Sequence, residues 1–236
     1  MKINLTRLLV AFVLLVGSLS AAPIGTLNIT GSVNVSGTGM DGELDFLPLD
    51  GGDGTFTVDL FTQSGSFVDV AGTTGTIQDL NNTDQPVGTP FNLENFLTFS
   101  ADPGMSLSLT FIDPGAFTST DCFAPVSAGQ NCTPPGSQFN LSNVGGPSGT
   151  VNSVVSFSVA GLASDATGSL PYTGTFSTQF TGIPYQNLLN TVATGGSVQA
   201  TYSANFVVVP EPGTATLFLG SGALLLVGGF LRRRKK

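Results

Sequence analysis

Apolar and polar residues alternate strictly along much of the middle of the chain. Over residues 198–208 the even positions are Val, Ala, Tyr, Ala, Phe and Val, whereas the odd positions from Ser197 to Asn205 are polar. Successive side chains of a β-strand point to opposite faces, so this segment predicts a strand whose even-numbered residues face a core. The same alternation predicts strands at 55–60, 106–111 and 155–159, and shorter ones at 27–35, 44–49, 67–70, 97–101, 139–141 and 175–180.

Clusters of Gly, Pro and Asp separate these segments and are typical of turns. Short strands with one polar face, joined by frequent turns, favour antiparallel sheets packed face to face. We therefore expect residues 22–209 to form one all-β domain, an antiparallel β-sandwich with a core rich in Phe. The one helix expected in it, at 185–193, is short and closes an end of the sandwich.

The first 21 residues have the three parts of a secretory signal peptide. Lys2 and Arg7 supply positive charge, residues 8–16 are all apolar, and the segment that follows is rich in Gly, Ser and Ala. We expect cleavage after Ala21, because Pro23 would hinder a cut one residue later. A cut after Ser20 is the alternative. Either cut predicts that the mature chain is exported.

The last 27 residues carry a second tripartite pattern. It consists of Pro210, Glu211 and Pro212, an uncharged segment at 214–231, and the basic residues Arg232, Arg233, Arg234, Lys235 and Lys236. Eighteen helical residues extend about 27 Å, roughly the thickness of a thin hydrocarbon core. Because terminal cations stay in the cytoplasm, we expect a C-terminal transmembrane helix at 214–231, a cytoplasmic stop at 232–236 and an ectodomain at 22–209.

This tail resembles the PEP-CTERM sorting signal, in which a Pro-Glu-Pro motif, an apolar span and a short Arg-rich end close the chain. The resemblance covers only residues 210–236, together with the expected signal peptide at 1–21. It implies that an exosortase-type membrane protease recognises Pro210, Glu211 and Pro212. It also implies an exported protein that is anchored in the inner membrane before processing and then resides at the cell surface or outside the cell.

The two cysteines, Cys122 and Cys132, lie in a stretch without alternation that we expect to be a long surface loop, 113–138. Outside the cytoplasm, two cysteines this close favour a disulfide. The alternative is a redox-active or metal-binding thiol pair. That alternative lacks the CxxC spacing, and no His or nearby cation is present to lower a thiol pKa.

The scarcity of basic residues limits the chemistry that the chain can perform. There is no His, and the stretch from Leu8 to Leu231 contains no Lys or Arg. This composition excludes a Ser-His-Asp triad, a lysine Schiff base and nucleic-acid binding by release of counterions. The motifs of the hydrolase nucleophile elbow and of the phosphate-binding loop are absent as well. We therefore expect a protein that is not an enzyme, with no catalytic residue and no cofactor.

Fourteen of the fifteen acidic residues lie within 22–209, and they leave two kinds of chemistry open. A pair of carboxylates at the right separation could hydrolyse a glycan. Alternating carboxylates on one strand face, followed by acids in a Gly-rich turn, could bind Ca²⁺, although the known calcium-loop patterns do not fit. The acids concerned are Asp41, Glu43, Asp45, Asp50 and Asp53.

The favoured function is a structural or interaction role in an exopolysaccharide matrix or biofilm, with the exosortase-type protease and exopolysaccharide as partners. The first alternative is a surface adhesin or glycan-binding module, which a concave face lined by Tyr would favour. The second is a glycan hydrolase that uses carboxylates alone. An open cleft holding two acids about 5–10 Å apart would favour that hydrolase.

Overall fold

The computed structural model describes residues 22–37, 43–48 and 53–209. Within these ranges the fold is all-β, as predicted, with twelve strands and one α-helix, α1 (Tyr185–Ala193), at the predicted position. The strands are β1 (Gly25–Ser36), β2 (Glu43–Phe46), β3 (Gly54–Val58), β4 (Thr74–Ile77), β5 (Leu80–Asn81), β6 (Leu93–Phe99), β7 (Ser106–Ile112), β8 (Asn131–Cys132), β9 (Asn140–Gly145), β10 (Val151–Asp165), β11 (Gly168–Phe180) and β12 (Val198–Val208).

Eight of the strands pair edge to edge into a closed antiparallel barrel. Their order is β1-β3-β4-β6-β7-β10-β11-β12, and β12 pairs with β1 to close the ring. The predicted β-sandwich is therefore wrong. Alternating strands bury one face in either architecture, whereas closure depends on which strand edges meet. Here the first strand meets the last, with Gly25 opposite Val208, and no local pattern reveals that pairing.

The remaining four strands extend the barrel wall at one end. Strand β2 pairs with β1 beyond the residues that β3 covers, and β5 pairs with β2. Strand β9 pairs with β10 beyond the residues that β7 covers, and β8 pairs with β9. Helix α1 contacts β9, β10 and β12, so we call this the helical end of the barrel. The opposite end, where Gly25 and Val208 pair, is called the terminal end.

Burial along β12 confirms the predicted register. The even-numbered residues face the barrel interior, and Tyr202 and Phe206 are only 4% and 0% exposed. Two other predicted strands need correction. Strand β3 ends at Val58, which leaves Leu60 58% exposed, and residues 67–70 belong to a 3-10 helix instead of a strand.

Strand β7 departs from the predicted alternation at a bulge. Leu109 is buried as expected, but Ile112 and not Phe111 takes the next inward position. The pairing with β10 shifts by one residue beside Gly161. A Cβ on Gly161 would lie 2.0 Å from the Ser108 carbonyl oxygen, so the close approach of the two backbones depends on glycine. A bulge adds one residue to one strand and moves the following side chains to the other face.

The predicted transmembrane helix is not part of the fold described here. Residues 214–231, the basic stop at 232–236 and the predicted signal peptide at 1–21 lie outside the described residues. Among residues 22–37, 43–48 and 53–209, the structure contains no helix that could span a bilayer. The described fold is thus a closed β-barrel with one nine-residue α-helix, in place of the predicted sandwich.

Candidate functional site

An apolar cavity of about 320 Å³ lies at the helical end of the barrel. The ends of β1 and β11, the starts of β10 and β12, helix α1 and the 134–139 loop enclose it. Sites for small molecules typically measure about 300–1,000 Å³, so the volume suits one small ligand. Much of its apolar lining comes from Val33, Val35, Leu44, Phe46, Phe139, Leu141, Val155, Phe157, Phe176, Phe180, Leu188, Leu189, Val192, Val198 and Ala200.

Small side chains at inward positions leave this space open. Along β12, Val198 and Ala200 face the interior at the helical end, whereas Tyr202 and Phe206 fill the middle of the barrel. An eight-stranded barrel is just wide enough for side chains to fill it or for one small ligand to fit. Because β2 and β9 extend the wall beyond β3 and β7, the space above the filled middle is walled and apolar.

Aromatic rings form one wall of the cavity. The rings of Phe157 and Phe176 stack in parallel with their centroids 4.7 Å apart. Tyr202 meets Phe46 edge to face at 5.4 Å, and Phe139 meets Phe157 edge to face at 5.6 Å. Offset and edge-to-face pairs add stability beyond the area that they bury, about 0.5–1.5 kcal/mol for each pair. These contacts hold the rings of the wall against one another.

Helix α1 covers the cavity with Leu188, Leu189 and Val192. The helix is amphipathic, and its apolar face meets the barrel. Its first residue, Tyr185, is fully buried in a small cluster next to the main core. The sequence predicted this helix at the end of the domain, and the structure adds that it closes over a space instead of over packed side chains.

Hydrogen bonds fix the start of α1 against β9 and the disulfide loop. The backbone N–H of Tyr185 donates to Oδ1 of Asn143 at 3.0 Å, and its hydroxyl donates to the Asp121 carbonyl oxygen at 3.0 Å. Asn143 in turn donates to Oε1 of Gln186 at 2.9 Å. Desolvation and the nearby Asp121 carboxylate raise the pKa of Tyr185, so its hydroxyl stays protonated and continues to donate.

The predicted disulfide between Cys122 and Cys132 is confirmed. Both residues are buried and pack with Leu141 and Tyr185 in the cluster that supports α1. Both cysteines belong to the 113–138 loop, so the bond closes this loop on itself, and the cluster packs the closed loop against the base of the helix. It plays a structural part beside the cavity, and neither sulfur lines it.

Two buried tyrosine hydroxyls have no hydrogen-bond partner among the described residues: those of Tyr172 and Tyr202. The two side chains are only 2% and 4% exposed. Burial raises the pKa of both phenols well above the usual value, so both stay neutral. A buried polar group without a partner costs about 1–3 kcal/mol. Tyr202 lines the cavity, whereas Tyr172 lies nearer the terminal end, where it pairs with Val208.

The cavity carries no formal charge. None of the described residues that line it is Asp, Glu, Lys or Arg, and its polar members are Ser, Thr, Asn and Gln, since the buried Tyr202 hydroxyl is inaccessible. Burial in such surroundings penalises any charged group that lacks a counter-ion. The lining therefore favours a neutral, largely apolar occupant.

The acids considered for Ca²⁺ do not form a site within the described part of the chain. Glu43 and Asp45 lie on β2, and Asp53 directly precedes β3. No group of three or more His, Cys, Asp or Glu among the described residues could hold a metal ion. Asp41 and Asp50 lie outside the described residues, as do the sorting residues Pro210, Glu211 and Pro212.

The sequence did not reveal the cavity. Its alternation identified Phe157 and Phe176 as inward-facing, which is correct, and the natural interpretation of inward Phe is a packed core. The signal that was available is the change from Tyr and Phe to Ala and Val toward the start of β12. That change predicts a cavity only once β12 is known to be part of a closed barrel.

Comparisons with known proteins offer no guide to the occupant of this cavity. Its function therefore rests on the geometry and chemistry of its lining. No protein-family model, curated protein or solved structure matches the chain.

Proposed function

We propose that the chain is an exported, non-enzymatic binding protein whose barrel-end cavity holds one small, apolar molecule. The observation that carries the proposal is the cavity of about 320 Å³, walled by aromatic and aliphatic side chains and covered by α1. Small-molecule sites are concave, largely preformed and mostly apolar, and they occur at the mouths of β-barrels. The stacked and edge-to-face rings of the wall provide such an apolar surface.

The lining also supports a binding role over catalysis. A glycan hydrolase needs two carboxyl groups flanking the substrate, and no Asp or Glu is among the described residues that line the cavity. Glycan binding finds little support, because Tyr172, Tyr185 and Tyr202 are all buried and none offers an exposed platform. The setting that we propose for the binding protein is the cell surface or the exopolysaccharide matrix.

Filling the cavity should abolish binding without unfolding the barrel. Ala200→Phe places a ring in the cavity from β12, whereas Gln199→Phe adds the same ring to the exposed opposite face of that strand. We expect the wild type and Gln199→Phe to enhance the fluorescence of N-phenyl-1-naphthylamine, a neutral apolar probe, with saturable binding. Ala200→Phe should lose at least tenfold in affinity because the space is occupied.

Circular dichroism and thermal unfolding serve as controls that both variants fold. Equal probe binding by Ala200→Phe and Gln199→Phe, with both folded, would contradict the cavity as the binding site. Absence of saturable binding to the wild type would contradict the function itself.

We also propose that the C-terminal tail directs the protein to its location through an exosortase-type protease that recognises Pro210, Glu211 and Pro212. Strand β12 ends at Val208, and Val209 is 58% exposed at the terminal end. Each proline fixes its own backbone and favours extended structure before it, which suits recognition by a protease. The cavity lies at the helical end of the barrel, opposite the tail. Cleavage of the tail therefore does not affect the access of a ligand to the cavity.

Replacing Glu211 by Ala in the native host tests this second proposal. We expect the wild type to accumulate as a shortened form outside the inner membrane, whereas Glu211→Ala stays full-length. Immunoblots of fractionated cells and medium provide the measurement. If both proteins stay full-length in the same membrane fraction, the tail is not a sorting signal. If both are shortened alike, the protease does not recognise Glu211.

A further inference from the structure

Five large apolar side chains are exposed at the terminal end of the barrel. They are Ile24, Leu60, Phe61, Val68 and Val209, and we call them the terminal patch. Single exposed apolar side chains are ordinary on protein surfaces, whereas a contiguous group of them marks a site of interaction.

A short helix at this end holds part of the terminal patch outward. The 3-10 helix Gly65–Val70 packs against β1, and its residues Phe67 and Val70 are buried in the main core. Val68 lies between these two in sequence and is exposed. The buried residues therefore fix the helix to the barrel while Val68 stays on its outer side.

The two ends of the described domain add neighbouring side chains to the terminal patch. Gly25 pairs with Val208, so the next antiparallel neighbours are Ile24 and Val209. The backbone N–H of Ser66 donates to the carbonyl oxygen of Ile24 at 2.8 Å. Ile24 and Val209 thus lie directly beside the 3-10 helix that carries Val68.

The remaining two members lie on a turn that follows β3. One carboxylate oxygen of Asp59 accepts hydrogen bonds from the N–H groups of Phe61 at 2.8 Å and Thr62 at 3.0 Å. The bond from the Phe61 N–H is the main cause of a lowered pKa at Asp59, so this carboxylate stays charged and keeps the turn in place. Phe61 is 88% exposed on this turn, and Leu60 approaches Gly72 where the chain returns to the barrel.

The sequence that follows Val209 indicates what this end of the barrel meets. The uncharged residues 214–231 begin five positions later. Five residues extend at most about 18 Å. A stretch of this composition favours lipid over water. Any bilayer that the tail contacts is therefore within reach of the terminal patch.

Charge narrows the kind of lipid surface. The chain from Leu8 to Leu231 contains neither Lys nor Arg, so no cation of the described domain can attract an anionic headgroup. Asp69 is exposed next to Val68 and would be repelled by such a headgroup. Contact through the terminal patch therefore depends on apolar side chains entering a zwitterionic interface.

We propose that the terminal end of the barrel docks on the surface of a zwitterionic phospholipid bilayer, with Leu60, Phe61 and Val68 inserted among the headgroups. This inference goes beyond the proposed function and does not depend on it, because the cavity lies at the helical end. Docking by the terminal end turns the helical end, with its cavity, away from the bilayer.

Tryptophan fluorescence tests the docking, because the chain contains no Trp. Phe61→Trp places the reporter in the terminal patch. Phe123→Trp is the matched control, since Phe123 is 87% exposed and lies beside the cavity at the helical end. With full-length protein and phosphatidylcholine vesicles, we expect the emission of Phe61→Trp to shift to shorter wavelength and to be quenched by brominated phosphatidylcholine. The emission of Phe123→Trp should show neither change.

A second substitution tests whether the terminal patch as a whole makes the contact. Leu60→Asp, added to Phe61→Trp, should abolish the quenching because a charge at this position opposes insertion. Val126→Asp in the same background should keep the quenching, since Val126 is an exposed apolar residue outside the terminal patch. Thermal unfolding checks that every variant folds. Adding phosphatidylglycerol to the vesicles should weaken the quenching at low salt.

Each other outcome overturns a stated part of the inference. Absence of quenching in Phe61→Trp, or equal quenching in Phe123→Trp, would show that the terminal end does not dock on lipid. Stronger quenching with phosphatidylglycerol would overturn the zwitterionic class. A shift without lipid that grows with protein concentration would assign the terminal patch to contacts between copies of the chain. None of these results changes probe binding in the cavity, so the proposed function is tested separately.

Discussion

Phe176→Ala is expected to lower the free energy of unfolding by about 4 kcal/mol, within the range of about 3–5 kcal/mol for truncating a buried Phe. Phe176 is 2% exposed and lies at the centre of the aromatic cluster. Its ring contacts those of Phe46, Phe96, Phe157, Tyr202 and Phe206. Truncation removes all of these contacts and opens the existing cavity further into the core, where the closed barrel cannot collapse to fill it.

Urea denaturation monitored by circular dichroism measures this loss. Phe123→Ala is the matched control, because it removes the same ring from a side chain that is 87% exposed. The control should change stability by less than about 0.5 kcal/mol. Equal effects of the two substitutions would contradict the placement of Phe176 at the centre of the core.

Removing the disulfide has the second largest expected effect. The double variant Cys122→Ala and Cys132→Ala should be less stable by about 2.5–3 kcal/mol, because the unfolded chain regains the entropy that the short closed loop denies it. The bond also supports Tyr185 at the base of α1, which covers the cavity. Helix α1 should therefore become more mobile in the double variant. Binding of N-phenyl-1-naphthylamine should weaken along with stability.

Urea denaturation of the wild type with and without dithiothreitol provides the comparison. Reduction should destabilise the wild type by about as much as the double substitution does, and it should leave the double variant unchanged. A double variant as stable as the oxidised wild type would show that the bond contributes nothing to the fold.

The two predictions concern features that differ in how far the local sequence reveals them: the disulfide and the position of Phe176. Cys122 and Cys132 are close in sequence, so their pairing follows from spacing and from the predicted export, and the structure confirms it. Phe176 could be predicted to face inward from alternation, but its five aromatic neighbours come from four other strands. Contacts between distant strands depend on topology, which alternation does not encode.

The sequence by itself determined what depends on near neighbours. Alternation set the inward face of β12, apolar spacing set helix α1 at Tyr185–Ala193, and composition excluded histidine and lysine chemistry. A strand has a period of two residues, so its faces are fixed as soon as its core side is apolar.

Only the tertiary structure decided that the sheet closes, where it bulges and what it leaves empty. The pairing of Gly25 with Val208 turns an expected sandwich into a barrel, and the bulge beside Gly161 brings Ile112 inward in place of Phe111. The cavity follows from that closure, because Ala200 leaves a space only where strands from every part of the chain surround it. Pairing between strands that are far apart in sequence depends on many weak contacts spread over the whole chain. No short segment of the sequence is enough to predict it.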